Sequence, residues 1–180
     1  KVYYDDLLGR AVSKFVPADD LIVPYSANSL EDAEAIVHVI KMSENEIRKQ
    51  QVSGFYRDIG LGEPPITENE LEAKERELEG ISKDGQEDQY TILEMHVNLD
   101  LPGFEDMGQD GEPTGIKLPY IVTIAEANNK VLSIRRNYTQ DDPAKEKIKY
   151  FVQFKFLPGT GFYGFGLIHM IGGLTRTATA

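Results

Sequence analysis

The chain has 180 residues with 30 acidic and 19 basic side chains, a formal net charge of −11, and neither cysteine nor tryptophan. This balance excludes a surface that grips nucleic acid through clustered lysine and arginine. The lack of cysteine excludes disulfides, thiolate metal sites and thiol nucleophiles. No apolar run approaches the ~20 residues that span a bilayer, so we expect no membrane partner.

Two strands are predicted near the start of the chain. The apolar run at 20–23 is closed by Pro24, which favours a brief edge strand because proline cannot donate to a sheet ladder. Residues 35–41 are rich in β-branched side chains, which is typical of a longer strand. We therefore expect a sheet to begin in this part of the chain.

A helix is predicted directly after the second strand. Ser43 followed three residues later by Glu46 forms a capping box, in which each side chain satisfies a backbone N–H of the other residue. Helical spacing continues beyond the first turn, and we place the end of the helix at the glycines of 60–62. The residues at that spacing are Ile47, Gln51, Val52, Phe55 and Tyr56.

The acidic residues are concentrated in one part of the chain. Residues 62–112 contain 16 acidic and 3 basic side chains, and a second capping box at 67–70 predicts a polar helix at 68–79. A helix with so few apolar residues is exposed or packed against a partner. We treat 62–89 as an acidic insertion and leave three interpretations open: a solvated face, a repulsive wall, or a docking face for a basic partner.

Four further strands are predicted after the acidic insertion. Strict alternation marks 93–101, and two apolar runs at 119–125 and 130–136 flank an Asn-Asn turn, which favours a hairpin. Alternation returns at 148–156. The predicted fold class is α+β, with a mainly antiparallel sheet and helices inserted early.

The alternation at 93–101 also predicts which face of the strand is buried. A period of two places apolar and polar residues on opposite faces, so we expect a buried apolar face and a wet polar face. The apolar residues are Leu93, Met95, Val97, Leu99 and Leu101. The polar residues are Glu94, His96, Asn98 and Asp100.

A glycine motif near the C-terminus does not indicate a nucleotide site. Residues 159–164 match G-x-G-x-x-G, but Pro158 enters the loop and two bulky aromatic residues occupy positions where backbone must approach a pyrophosphate. No parallel βαβ pattern surrounds the motif. We interpret it as a sharp corner between a strand and a helix, with glycines supplying unusual dihedral angles.

Neither a metal site nor a cofactor site is predicted elsewhere. One acidic loop offers a weak cation site, although it lacks the ligand spacing of an EF-hand; its acidic residues are Glu105, Asp106, Asp110 and Glu112. Three histidines have no partner at metal-binding spacing, so we expect each to be an ordinary polar or packed residue; they are His38, His96 and His169. Read from its residues alone, the sequence does not support an enzyme.

Several stretches, taken in order, resemble portal proteins of tailed double-stranded DNA bacteriophages, most closely those of short-tailed phages and related prophages. The longest are 39–58 and 151–169. Shorter ones are Asp100-Leu101-Pro102-Gly103-Phe104-Glu105, Gly111-Glu112-Pro113-Thr114-Gly115 and Leu118-Pro119-Tyr120. The resemblance covers nearly the whole chain and is weakest from 61 to 89.

The resemblance implies a structural subunit of a ring, usually of twelve copies, at one vertex of the capsid. DNA enters and leaves through the ring, which docks the terminase motor, scaffold or capsid proteins and tail adaptors. It implies no catalytic residue, metal or cofactor, because ATP hydrolysis belongs to the terminase. The expected location is the virion, after assembly in the host cytoplasm.

The resemblance also divides the chain, which we expect to be an internal fragment of a longer protein. Residues 1–161 would form a wing-like α+β domain, and 162–180 a corner and the beginning of the stem helix. The expected corner residues are Pro158, Gly159, Gly161, Phe162, Tyr163, Gly164 and Gly166. The expected residues of a subunit-contact helix are Glu46, Ile47, Arg48, Gln51, Phe55 and Tyr56.

Two other functions remain open at this point. An acidic α+β module, unrelated to phage, could bind proteins through the polar helix at 68–79. A small metal-dependent enzyme could use the acidic loop at 105–112, in which case a divalent cation should raise its melting temperature.

Overall fold

Antiparallel strands form the framework of the structure, a computed structural model that describes residues 1–5, 9–62, 74, 78, 89–159 and 161–178. Together with two α-helices in this part of the chain, they confirm the predicted α+β class. The polar helix predicted at 68–79 lies outside the described residues except for Lys74 and Leu78, which are helical and exposed.

The described strands form two sheets. A hairpin comprises β1 (Val2–Asp5) and β2 (Arg10–Ser13). A five-stranded sheet has its strands in sequence order, each antiparallel to the next: β3 (Leu21–Ile22), β4 (Ala35–Ser43), β5 (Gln89–Leu99), β6 (Leu118–Ala125) and β7 (Lys130–Arg136). A 3-10 helix (Ala18–Asp20) precedes β3. The predicted edge strand, the long strand after it and the hairpin at the Asn-Asn turn are all present.

The first helix, α1 (Glu44–Val52), starts where the capping box predicted. The Glu46 backbone N–H donates to Ser43 Oγ at 3.3 Å, and the Ser43 backbone N–H donates to Glu46 Oε2 at 3.0 Å. Two N–H groups at the helix start are therefore satisfied by side chains.

The predicted end of this helix is wrong. Helical spacing was extended through Phe55 and Tyr56, but α1 ends at Val52. Gly54 has φ +78°, a left-handed conformation that glycine adopts without steric strain. The chain turns there, so that Tyr56 reaches the core from an irregular segment rather than from the helix.

The main core lies between the sheet and the segment 44–62. Ile47 on α1 is fully buried against residues from three strands and from the irregular segment that follows the helix. The buried residues of this cluster are Ile47, Tyr56, Leu61, Tyr90, Ile92, Ala125 and Leu132. Burial of apolar area on this scale is the principal stabilising term of such a fold.

The predicted orientation of β5 is reversed. Its polar face is the more deeply buried one, because Glu94 and His96 are buried whereas Leu93 and Met95 are only half-buried. The core around Ile47 covers one end of this face. Lys1 and Phe151 cover the other end, and no local pattern in β5 could reveal those distant residues.

The strand predicted at 148–156 is absent. Residues 147–156, called the strap below, form no strand in the structure. From Phe151 to Phe156 exposure nevertheless alternates residue by residue, as in an extended chain, and the apolar side chains Val152, Phe154 and Phe156 lie on the exposed side. Val152, Phe154 and Phe156 are exposed, while Lys155 is half-buried.

A second helix, α2 (Leu167–Ala178), follows the glycine motif, where the sequence predicted that a helix would start. The described apolar side chains in its first turns are exposed: Leu167, Ile168, Met170 and Ile171. Among the described residues, no helix has the length and apolar character needed to cross a membrane.

The capping box gives the first testable prediction. Replacing Ser43 by alanine removes the acceptor for the Glu46 N–H, and N-cap losses of this kind reduce the free energy of unfolding by about 1 kcal/mol. Chemical denaturation of the 180-residue chain measures this change. Ser53→Ala, which removes a hydroxyl at the other end of the same helix, should change stability by less than half as much. Equal effects would contradict the capping role.

Candidate functional site

A row of buried polar side chains crosses the five-stranded sheet. Register pairs His38 with Glu94, Glu94 with Thr123, and Thr123 with Ser133. Directly opposed residues in antiparallel strands share a face of the sheet, and all four of these residues are buried. We call them the polar row.

Glu94 is the charged centre of the polar row. Its Oε1 accepts a hydrogen bond from Lys1 Nζ at 2.5 Å and lies 2.9 Å from His96 Nε2. His38 Nδ1 is 3.9 Å from the same oxygen. These three residues come from the start of the chain, from β5 itself and from β4.

The neighbours of Glu94 keep it ionised. Burial raises the pKa of the Glu94 carboxyl, but the two imidazoles and the charge of Lys1 more than reverse this, so its pKa lies well below the ordinary value. Burial, with the Glu94 charge nearby, also raises the pKa of the Tyr56 hydroxyl to about 12. A carboxylate with a lowered pKa is a weak proton acceptor near neutral pH. The arrangement therefore suits an ion pair that holds separate segments of the chain together.

The strap covers the end of the polar row at His38 and Glu94 through its aromatic residues. The Phe151 ring meets His38 and His96 edge-on, with ring centroids 5.7 and 5.2 Å away. Lys1 Nζ lies 5.6 Å from the centre of the same ring, within the range of a cation–π contact. The Val2 backbone N–H donates to the Tyr150 carbonyl at 2.7 Å. The charged centre and the strap are therefore one packed unit.

Two strap lysines anchor it to the turn between β3 and β4. Lys147 Nζ donates to the backbone carbonyls of Leu30, Glu31 and Ala33 at 3.1–3.4 Å. Lys155 Nζ donates to the carbonyls of Asn28 and Gly161 at 3.0 and 3.1 Å. Hydrogen bonds from ammonium groups to carbonyls are stronger than those between neutral groups. They therefore keep Lys147 and Lys155 on the side of the strap that faces the rest of the chain.

A cleft of about 370 Å³ opens beside His96, between the sheet and the strap. Ile36 and His96 line it from the sheet, and the strap forms another wall with Ile148 and Phe151. The lining is largely apolar, as in many binding clefts.

The seven expected corner residues form a tight reversal between the strap and α2. Leu157 and Phe165 make an antiparallel bridge in which the Phe165 N–H donates to the Leu157 carbonyl at 3.0 Å. Within it, Phe162 is buried, while Pro158 and Gly166 are exposed. The remaining residues of the set are Gly159, Gly161, Tyr163 and Gly164.

Two glycines of this corner have no room for a Cβ in the observed arrangement. Gly164 has φ +70°, and a Cβ there would lie 2.6 Å from the Leu157 carbonyl oxygen. At Gly159 a Cβ would lie 2.7 Å from the Phe165 ring. A larger residue at Gly164 would therefore displace the backbone of the corner, whereas one at Gly159 would displace the Phe165 ring.

The corner is also tied to the sheet and to the strap. The Tyr163 hydroxyl donates to the Leu21 carbonyl of β3 at 2.9 Å. Gln153 Nε2 donates to the Phe162 carbonyl at 2.6 Å. The start of α2 is thus positioned by contacts to the sheet edge and to the strap.

The six residues expected on a subunit-contact helix do not share one surface. Ile47, Gln51 and Tyr56 are buried within the chain itself, and Phe55 lies outside the helix with Arg135 stacked 4.3 Å from its ring centre. The exposed members of the set on α1 are Glu46 and Arg48. A contact through this region would therefore involve the polar side of α1.

The acidic loop at 105–112 is held by protein groups. The Lys145 ammonium pairs with the Asp106 carboxylate, and Thr114 Oγ1 donates to it at 2.8 Å. The Lys145 hydrogen bond lowers the pKa of Asp106 and raises that of Lys145. Within the described ranges, no group of three or more histidine, aspartate or glutamate side chains could hold a metal ion.

Sequence reasoning missed the polar row. His38 and His96 were each predicted to be an ordinary histidine, yet both lie beside Glu94. The sequence predicted two strands that each carry a histidine. Which residues of the two strands lie opposite each other could not be derived from either strand alone. His169 lies elsewhere, with its ring packed on Phe165 at 5.4 Å.

No protein-family model matches the chain, and no curated protein matches it.

The corner geometry predicts that alanine substitutions at two neighbouring glycines differ in their effect on the stability of the chain. Gly164→Ala places a side chain at positive φ and against the Leu157 carbonyl, which should destabilise the chain by roughly 2 kcal/mol. Gly166→Ala meets no atom within 4 Å and serves as the matched control, with a change several-fold smaller. Thermal and denaturant unfolding measure both variants. Equal stabilities would contradict the corner geometry.

The lowered pKa of Glu94 predicts how the stability of the chain depends on pH. Glu94→Gln leaves the Lys1 ammonium without its counter-charge, and loss of one partner of a buried ion pair reduces stability by roughly 3 kcal/mol. Because the folded-state pKa of Glu94 is lowered, its ionic contribution is complete above the unfolded pKa of about 4.3. This contribution decreases as pH falls from there toward the folded-state pKa.

The measurement is the difference in unfolding free energy between the natural chain and Glu94→Gln from pH 3 to pH 8. Glu126→Gln, at an exposed position, is the control and should give a small difference across the range. A Glu94→Gln difference that grows on acidification would show that the sign is wrong.

Proposed function

We propose that this chain is the wing-like part of a bacteriophage portal subunit. In this proposal the full subunit assembles into a ring at one capsid vertex, through which DNA is packaged and ejected. Terminase, scaffold or capsid proteins and tail adaptors dock on that ring. The protein would reside in the virion after assembly in the host cytoplasm.

The observation that carries the proposal is the segment 157–178. It combines a glycine-dependent reversal with a helix whose described apolar side chains are exposed. An isolated helix of 12 residues is marginal in water and depends on packing of its apolar face. A stem helix that packs against neighbouring subunits would supply that packing, and the first part of this segment, up to His169, belongs to one of the two longest stretches that resemble portal proteins.

The charge of the chain is compatible with passage of DNA. A duplex that moves through a protein ring must not be held by clustered cations, because each phosphate contact strengthens binding. The net charge of −11 repels phosphates at long range. We therefore include double-stranded DNA as a passing partner without specific binding.

The proposal predicts that the natural gene product containing this chain forms closed rings. Negative-stain electron microscopy of the purified product should show ring-shaped particles with a central channel. Gel-shift assays with the same particles at physiological salt should detect no complex with DNA at micromolar protein concentration.

Two outcomes would contradict it. A natural product that remains monomeric at high concentration would exclude the ring, and micromolar affinity for DNA would exclude passage without retention. A terminase gene adjacent to the coding sequence would add independent support.

A further inference from the structure

The cleft between the sheet and the strap has the size and the lining of a site for a small molecule. Its volume is about 370 Å³, within the range of roughly 300–1,000 Å³ that ligand pockets span. Ile36 lines it from β4 and Ile148 from the strap. Three aromatic rings also line it, those of His96, Tyr150 and Phe151. This lining favours a ligand with an aromatic body, because rings pack well against the edges and faces of other rings.

The walls of the cleft are held by contacts within the chain. The three carbonyls that Lys147 binds belong to the turn between β3 and β4, and Lys149 Nζ donates to Glu31 Oε1 of the same turn at 3.0 Å. Phe151 is fixed on two imidazoles. Since these contacts do not depend on a ligand, binding need not order the cleft, which lowers its entropic cost.

The charged groups of the lining favour an uncharged ligand. They are two glutamates and two lysines, so their formal charges balance. Both lysines are engaged, Lys147 with carbonyls and Lys149 with Glu31, so an anion in the cleft would lose its hydration without gaining a counter-charge. Glu34 is exposed, so a cation paired with it would remain at the surface.

One buried polar side chain of the lining lacks a partner. Asn137 lines the cleft and is 2% exposed, and its Oδ1 makes no hydrogen bond to the residues that the structure describes. Its backbone is fixed on both sides, because its N–H donates to the Pro119 carbonyl and its carbonyl accepts from the Ile148 N–H, both at 2.9 Å. Buried polar groups are paired in nearly all cases, so a donor bound in the cleft would complete this amide.

A hydroxyl group is the donor that fits this lining. It donates to an amide oxygen without carrying charge, whereas an alkyl amine is protonated near neutral pH. We propose that the cleft binds an uncharged aromatic alcohol whose hydroxyl donates to Asn137 Oδ1. The ring of the ligand packs against Ile36, Ile148 and Phe151. This binding goes beyond the proposed function, because the cleft lies within one chain and needs no ring assembly.

Two matched probes test the hydroxyl contact. 2-Naphthol and 2-methoxynaphthalene share a bicyclic body, but only the first has a hydroxyl donor. The fluorescence of each probe is followed as the 180-residue chain is added, which is practical because the chain contains no tryptophan. We expect saturable one-to-one binding of 2-naphthol, about tenfold tighter than that of 2-methoxynaphthalene, as one hydrogen bond would give.

A matched pair of asparagine variants tests the assigned acceptor. Asn137→Leu removes the amide at similar volume and should abolish the preference for 2-naphthol. The unfolding midpoint should not fall, since Oδ1 has no partner among the described residues to lose. Asn98 also lines the cleft but is exposed, and the control Asn98→Leu should keep the tenfold preference.

Three results would overturn the proposal. Failure to detect saturable binding of 2-naphthol would exclude a site for aromatic alcohols, and equal affinity for the two probes would exclude the hydroxyl contact. Loss of the preference in both variants, or in neither, would exclude Asn137 as the acceptor. None of these results bears on the ring, and a natural product that binds 2-naphthol but forms no ring would contradict the portal proposal alone.

Discussion

The ionised carboxylate of Glu94 is the constraint on which the arrangement of this chain depends. A buried carboxylate is tolerated only when opposite charge and hydrogen-bond donors surround it. Those groups come from Lys1 and His96, with His38 close by. The ion pair of Lys1 with Glu94 therefore joins the start of the chain to the middle of the sheet.

The same cluster determines how the strap lies. The Phe151 ring packs edge-on with His38 and His96. Because successive side chains of an extended segment point to opposite sides, this contact determines which side each of the following residues faces. With Phe151 inward, Phe154 must point outward. The corner follows, since Gln153 and Lys155 on the inward side bind carbonyls within it.

Local chemistry was sufficient to predict several elements. The capping box located the start of α1, and the Asn-Asn turn located the hairpin of β6 and β7, because these signals involve residues a few positions apart. The acidic composition of 62–112 was also evident. The α+β class followed from these elements together.

Other features depend on distant residues and could not be predicted locally. The alternation in β5 correctly indicated a strand but not its buried face, since Lys1 and Phe151 determine which face is covered. The helical spacing that extended α1 to Tyr56 was real, yet Gly54 redirects the chain. His38 and His96 meet only through the register of β4 and β5.

The energetics of the strap argue that the exposed row is not an accident of composition. Full burial of a phenylalanine side chain stabilises a fold by about 1.5–3 kcal/mol, so a strap that turned Phe154 and Phe156 inward would gain several kcal/mol from transfer alone. The observed phase instead places Lys155 inward, where its ammonium binds two carbonyls. Opposite registers of an alternating segment expose opposite sets of side chains, and this chain holds the apolar set outward. In isolation that register leaves apolar area in water, whereas contact with another surface would bury it.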